Sequence, residues 1–213
     1  MERVGAVVLA AGAGARMGNR PKCLLELDGI PLIQRQLMAL SGAGVVEQVV
    51  VLGHHAARIQ PVLSDFPVTR VCNPDPAAGQ VSSLRLGLQS LSSSMDTVLV
   101  ALADQPLIGA QDIVELLGAY CRRPDGTSLA RADVDGQPGN PVVFSAEVCK
   151  EILNSEPAFG CRQWQEAHPD KVHRWISSNM HYCLDVDSPG DIELLAARTG
   201  HRLHWPMDLD VQR

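Results

Sequence analysis

Between Leu9 and Lys22 the chain reads LAAGAGARMGNRPK, a segment holding Gly12, Gly14 and Gly18 with Arg16 and Lys22 among its cations. Glycines let a backbone approach phosphate closely and turn its amides inward. A guanidinium adds a planar fork for phosphate oxygens, and an ammonium adds a compact point charge. The chemistry implied is the cradling of a polyphosphate. A P-loop needs G-x-x-x-x-G-K-[ST], and no Gly-Lys-Ser/Thr occurs in the chain. A dinucleotide fingerprint needs G-x-G-x-x-G, whereas this loop runs G-x-G-x-x-x-G and crowds cations into a site that normally relies on a helix N-terminus. A solvated turn would need neither so many glycines nor these charges.

Two acidic segments could complement that loop. Asp104 follows the apolar run Thr97–Leu102, in VLVALADQPLI. A lone carboxylate there is costly to bury unless it is paired or holds a metal, the bland reading being a cap on the next turn. In LDVDSPGD, Leu184 to Asp191, strand alternation would put Asp185 and Asp187 on one face before Ser188-Pro189 opens a helix, the bland reading of Asp187 being a cap on that helix. A third segment, NPDPAAGQVSSLRLGL from Asn73 to Leu88, sets Gly79 and the pair Ser82-Ser83 at a helix start. Such amides can meet an anion, although paired serines there also serve as simple caps. The adjacent His54 and His55 point in two directions and read as loop residues, and His168, His173 and His181 are too dispersed to assign.

These segments sit between elements that must position them. Val4–Leu9, Val49–Leu52, Thr69–Cys72 and Thr97–Leu102 are short apolar runs expected of strands covered on both faces. Leu32–Leu40, Ser82–Leu91 and Gln111–Tyr120 carry apolar residues at helical spacing. Farther on, Ser128–Arg131, Pro141–Phe144, Val172–Ile176 and Tyr182–Val186 read as strands, Asp133–Asn140 as a polar turn, and Ser145–Leu153 and Pro189–Thr199 as helices. The alternation predicts a three-layer α/β/α sheet, Rossmann-like and mostly parallel, as one domain over residues 1–200 with a loosely docked tail at 201–213. Ligands should bind beyond the carboxyl ends of its strands.

With 213 residues, 46% hydrophobic and 20% charged, a mean hydropathy of +0.02 and a net charge of −6, the composition fits one globular domain. It disfavours a disordered chain, a basic nucleic-acid binder and a membrane span, and a cytoplasmic protein is expected. The six scattered cysteines lack a C-x-x-C pair and read as reduced, structural thiols.

The loop LAAG-x-G-x-R-M-G followed by Pro21-Lys22 resembles the signature of nucleotidyltransferases of the pyrophosphorylase type, which join an NTP to a phosphorylated acceptor. The resemblance implies a GT-A-like nucleotidyltransferase fold. It makes Arg16 and Lys22 triphosphate ligands, with Gly14, Met17 and Gly18 in the wrapping loop, and places Leu9, Ala10, Ala11 and Gly12 beside the base. LADQP is similar to the family's metal-binding strand end and LDVDSPGD to its D-x-D-[ST]-P-x-D element. These imply Mg²⁺ held by Asp104 and Asp187, with Asp185 as the alternative second ligand. Gly79, Ser82 and Ser83 lie in a stretch similar to the G-x-S-x-S-L-R-x-G-L run of molybdenum cofactor cytidylyltransferases, which favours CTP. GNPVVF resembles that family's G-H-P-V-x-F with Asn140 in place of histidine, and FGCR a G-D-x-G-A-R element without its acidic residue. Gly139, Asn140 and Arg162 are therefore the candidate acceptor contacts. The implied activity is CMP transfer to a molybdopterin-type phosphate, with a molybdoenzyme as eventual partner. Other acceptors (a sugar phosphate, a methylerythritol phosphate, a phospholactate) and a non-catalytic cofactor chaperone remain alternatives.

Overall fold

The computed structural model describes residues 2–210. In chain order the elements are β1 (Val4–Ala10), β2 (Glu26–Leu27), β3 (Ile30–Pro31), α1 (Leu32–Gly42), β4 (Glu47–Leu52), α2 (Ala56–Ile59), β5 (Thr69–Cys72), α3 (Gln80–Ser90) and β6 (Thr97–Leu102). They continue with α4 (Ala110–Cys121), β7 (Leu129–Val134), β8 (Gln137–Ser145), α5 (Ala146–Asn154), α6 (Cys161–Ala167), β9 (Val172–Ile176), α7 (Pro189–Thr199), β10 (Leu203–His204) and α8 (Met207–Asp210). The main sheet has the order β5-β4-β1-β6-β8-β7-β9, and β8 alone runs against the other strands. The carboxyl ends of β1, β4, β5, β6, β7 and β9 therefore share one edge of the sheet.

Period-two alternation along the central strands builds a layer on each face. Ala6 and Val8 pack with Ile33 and Leu37 of α1 and Ile113 and Leu116 of α4, whereas Val7 packs with Leu84 and Leu88 of α3 and Val148 and Ile152 of α5. This is the expected three-layer α/β/α arrangement. Each fully buried valine or leucine contributes roughly 1.5–3 kcal/mol. Helix α3 lies so close to the sheet that a Cβ on Gly87 would sit 2.4 Å from Val7 Cγ1 and 2.8 Å from Val51 Cγ2. Gly87→Ala gains about 1 kcal/mol of helix propensity. It overpacks two stiff valines on buried strands, at a cost of roughly 1–3 kcal/mol. A lowered denaturation midpoint is the expected result, and an unchanged or raised one would contradict this packing.

Four expectations need correction. Tyr182–Val186 is not a strand: Met180–Cys183 is a 3-10 turn and the rest crosses the sheet edge without a ladder. The polar stretch 133–140 belongs mostly to the β7–β8 hairpin, whose turn is Asp135-Gly136, with φ of 51° and 79°. Helix α3 begins at Gln80 with Gly79 at its N-cap and no side-chain cap, not with a capping serine. The segment after α7 is anchored: β10 pairs with β2, and Leu203 and Leu209 are buried. Residues 211–213 of that tail lie outside the described residues. All six cysteines are free thiols, and no helix of the described residues is long and apolar enough to cross a membrane.

Candidate active site

The loop after β1 turns sharply at Gly14, whose carbonyl accepts from Met17 N (2.8 Å) and Asn19 N (3.0 Å). Gly14 has φ of 65°, and a Cβ there would lie 2.0 Å from the Arg20 carbonyl oxygen, so only glycine fits. Gly18 closes the same turn at φ of 68°. Met17 anchors the turn in a small core with Leu25, Leu27, Leu32 and Leu195. Arg16 is thereby held outward, its side chain 68% exposed. Arg20, a third cation of the loop, faces elsewhere: Nε donates to the Met17 carbonyl and the guanidinium stacks over Trp205 at 4.1 Å.

The cations meet the carboxylates at the carboxyl edge of the sheet. Lys22 Nζ donates to Asp104 Oδ2 and, at 2.6 Å, to Asp187 Oδ1, while Arg16 Nη2 donates to Asp187 Oδ2 at 2.7 Å. The cap of α7 is supplied by other groups: Asp191 Oδ2 accepts from Asp187 N (3.0 Å), Ser188 N (2.7 Å) and Ser188 Oγ (2.9 Å). That leaves the Asp187 carboxylate free for the site. Burial would lower the Lys22 pKa, but Asp104 and Asp187 outweigh it and hold the ammonium above its usual value. Burial likewise opposes ionisation of Asp187, yet Lys22 and Arg16 hold its carboxyl below the usual range. Asp185, half-buried beside Asp187 and Asp104, is pushed up. The Cys23 thiol is driven by burial to about 12 and stays protonated.

Lys22 therefore stabilises the fold below its unfolded pKa of 10.5, and that contribution is lost as pH rises through its higher folded value. Asp187 stabilises above its unfolded value of 3.8, and that is lost as pH falls through its lower folded value. Asp185 acts in the opposite sense, weakening the fold as pH rises through its raised value. Denaturant titrations from acid to alkaline pH should show Lys22→Met losing the alkaline limb and shrinking the acid one. Parallel profiles for the two proteins would contradict the network.

An open cavity of about 560 Å³ adjoins this network. Its walls include Leu9 and Ala10 at the end of β1, Ala11 and Gly12 just after it, Lys22, Gly79 and Ser83 at the start of α3, and Asp104, Asp185 and Asp187. Arg16 reaches it through Asp187. His54, read from sequence as a loop residue, also lines it, and His55 instead braces the loop, with Nε2 2.9 Å from the Ala13 carbonyl oxygen. The buried Asn73, which the sequence reading passed over, donates through Nδ2 to Ser82 Oγ (2.8 Å) and Ser83 Oγ (2.9 Å). Ser82 in turn donates to the Gly79 carbonyl at 2.8 Å and is not part of the cavity wall. Arg85 donates to the carbonyls of Ile152, Leu153, Ser155, Glu156 and Phe159, closing the end of α5.

The acceptor candidates lie apart from that wall. A Cβ on Gly139 would come within 2.7 Å of Tyr182 Cβ. The Asn140 carbonyl accepts from Gln105 Nε2 at 3.1 Å. Arg162 is 86% exposed and pairs with Glu166 at 3.0 Å. Among the described residues no group of three His, Cys, Asp or Glu side chains is arranged to hold a metal by itself. Two hard carboxylates beside an open cavity of this size do suit a cation that takes its other oxygens from a substrate.

The mostly parallel sheet, the glycine-rich turn and the cation–carboxylate network at its edge define an α/β protein of nucleotidyltransferase-like architecture. The chain belongs to the MobA-like NTP transferase domain family, whose model matches residues 6–172. It is similar to the bifunctional protein GlmU of Kineococcus radiotolerans, 38% identical over 129 residues, which are 59% of this chain and 26% of that protein. The CMP-5'-(3-aminopropyl)phosphonate synthase of Streptomyces rubellomurinus is 32% identical over 147 residues, 62% of this chain and 23% of that one. The chain thus spans about a quarter of the length of these two relatives. The nicotine blue oxidoreductase of Paenarthrobacter nicotinovorans is 33% identical over 145 residues, 66% of this chain and 70% of that protein. Among solved structures, a homolog of Mycobacterium tuberculosis Rv0371c from Mycobacterium sp. strain JC1 superposes with a TM-score of 0.76 at 28% identity, covering 92% of this chain and 97% of that one.

Proposed function

We propose that this protein transfers CMP from CTP to a molybdopterin-type phosphate and releases pyrophosphate. The observation that carries the reading is the Lys22 bridge between Asp104 and Asp187, with Arg16 on the second oxygen of Asp187, at the mouth of a cavity walled by the glycine-rich loop. An acceptor phosphate oxygen attacks the α-phosphorus in line, the bond to the bridging oxygen breaks, and pyrophosphate leaves with the electron pair. No nucleophilic side chain is needed, so the work of the protein is positioning and charge stabilisation. Lys22 and Arg16 exchange their carboxylate partners for phosphate oxygens and meet the charge growing on the leaving group. The backbone from Leu9 to Gly12 lies against the base, and Ser83, whose hydroxyl oxygen accepts from Asn73, lines the cavity. Asp104 and Asp187 would hold Mg²⁺, which would supply neutralisation of phosphate charge and polarisation of the phosphoryl group.

CTP is favoured by the LAAG and GQVSSLRLGL segments and by the likeness to a CMP-5'-(3-aminopropyl)phosphonate synthase. Gly139, Asn140 and Arg162 remain the proposed acceptor contacts. The reading is tested by measuring pyrophosphate release with Mg²⁺ for four NTPs, each against a molybdopterin phosphate, a sugar phosphate, a methylerythritol phosphate and a phospholactate. Release with CTP and the pterin phosphate is expected. Release only with another acceptor would reassign the substrate, and none with any pair would reject transfer.

A further inference from the structure

The segment that delivers Asp187 has to cross the sheet edge from β9 to β6, over the ends of β7 and β8, without a strand ladder to guide it. Its backbone is tied at either end, by Ser177 N to the Asp133 carbonyl (3.0 Å) and by Val186 N to the Asp104 carbonyl (3.1 Å). Between those ties, most of the side-chain bonds that hold it converge on one residue of another element, Asp112 in the first turn of α4. Asp112 Oδ1 accepts from Asn179 Nδ2 at 2.6 Å. Its Oδ2 accepts from His181 Nδ1 at 3.1 Å and from Gly109 N at 2.8 Å, and its carbonyl accepts from the Tyr182 hydroxyl at 2.6 Å. Capping α4 uses only the Gly109 bond. The other bonds, to residues 67 to 70 positions away, serve the crossing segment. From the opposite side Gln105, the residue after Asp104, donates to the Tyr182 carbonyl at 3.1 Å, and the missing side chain of Gly139 lets Tyr182 seat against β8.

We propose that Asp112, Asn179 and His181 form a positioning latch that sets the Asp187 carboxylate against Asp104 and so tunes the affinity of the pair for a divalent cation. The proposal rests on the reading of Asp104 and Asp187 as the cation-holding pair. Asp112 is 7% exposed and accepts from three donors, so its carboxylate is a fixed anchor. A carboxylate accepts only, which places the His181 proton on Nδ1. The Asp104–Asp187 spacing must hold within fractions of an ångström to bind one ion, and residues that orient such ligands from outside typically change metal affinity by about 10- to 100-fold. Asn179, His181 and Asp112 touch no reacting atom and are positioning residues.

The test uses the full chain, Mn²⁺ as probe and a non-hydrolysable CTP analogue, with affinity read by calorimetry. The Asn179→Ala/His181→Ala double variant should raise the Mn²⁺ Kd by about tenfold or more, while the thermal midpoint of the metal-free protein moves by only a few degrees. His181→Asn, which keeps a donor near Nδ1, should stay within about threefold of the parent in the same assay. Asp187→Ala serves as reference. If Asp187→Ala binds Mn²⁺ like the parent, the cation-holding reading fails. If it loses binding while the double variant keeps parental affinity, the latch alone is overturned. Should the double variant not fold, His181→Ala replaces it, because that side chain is 42% exposed, and parental Mn²⁺ affinity there overturns the proposal in the same way.

Discussion

Replacing Lys22 by methionine is expected to lower turnover about a thousandfold and, at the same time, to tighten Mn²⁺ binding in the absence of nucleotide. The first effect follows from losing a fixed cation at the leaving phosphates, where a single preorganised donor or cation is worth roughly 10²–10⁵ in rate. The second follows from the ground state. Lys22 Nζ bonds both Asp104 and Asp187, so a divalent ion arriving alone must displace an ammonium whose side chain is only 17% exposed. At a few ångströms and an effective dielectric near 20, one unit charge is worth about 4 kcal/mol, ample for a tenfold gain in cation affinity when it is removed. A triphosphate arriving with the ion gives Lys22 a new partner and lifts the penalty. Nucleotide and metal should therefore bind the parent protein cooperatively and Lys22→Met far less so. Steady-state kinetics with calorimetry of Mn²⁺ alone checks both halves. A Lys22→Met variant with normal turnover, or with weaker binding of free Mn²⁺, would contradict the exchange of partners.

Asp104→Asn is expected to abolish metal-dependent turnover, by about a thousandfold or more, with the fold retained. The amide keeps the shape of the side chain but removes the charge that a hard cation seeks. The backbone of Asp104 is held independently of its carboxylate, since its carbonyl accepts from Val186 N, so the crossing segment keeps its course. Pyrophosphate release at saturating Mg²⁺ and the circular dichroism spectrum together decide the matter. Normal release by a folded Asp104→Asn protein would remove Asp104 from the cation site. Asp187→Asn should behave similarly but less severely, because Asp187 is more exposed than Asp104 and already shares its charge with Arg16.

The central strands and the helices that cover them were legible because each is a continuous apolar run or a helical stripe fixed by burial. The β7–β8 hairpin was misread as a long turn because its ladder ends in polar residues at the rim of the sheet. The signal that would have found it is Asp135-Gly136, a pair suited to the positive φ values of a tight hairpin turn. Tyr182–Val186 imitates a strand in sequence for a different reason: Tyr182 packs in the layer against α4 and Val186 in the small core under α7. Their alternation reflects two separate anchors rather than one pleated face.

That Arg16, Lys22 and Asp104 matter together was legible because their charges follow a glycine-rich turn or an apolar strand, where the choice of residue type is narrow, whereas Asp187, which meets them, follows a crossing segment that only imitates a strand. The supports of the site were not legible. Asn73 behind Ser83, Gln105 beneath Tyr182 and Asp112 beneath His181 act through partners up to 77 positions away, and nothing in their local sequence announces them. Met17 shows the converse, since a residue inside the glycine-rich segment serves as the hydrophobic anchor that turns Arg16 outward.

The cavity is expected to bind a nucleoside triphosphate together with a divalent cation through Arg16, Lys22, Asp104 and Asp187. Equilibrium dialysis of radiolabelled CTP against the parent protein, with Mg²⁺ and then with chelator, tests it without knowledge of the acceptor. Retention of CTP that needs the metal, is displaced by pyrophosphate and is lost in Lys22→Met is the predicted result; no retention, or retention equal in chelator and in Mg²⁺, would contradict it.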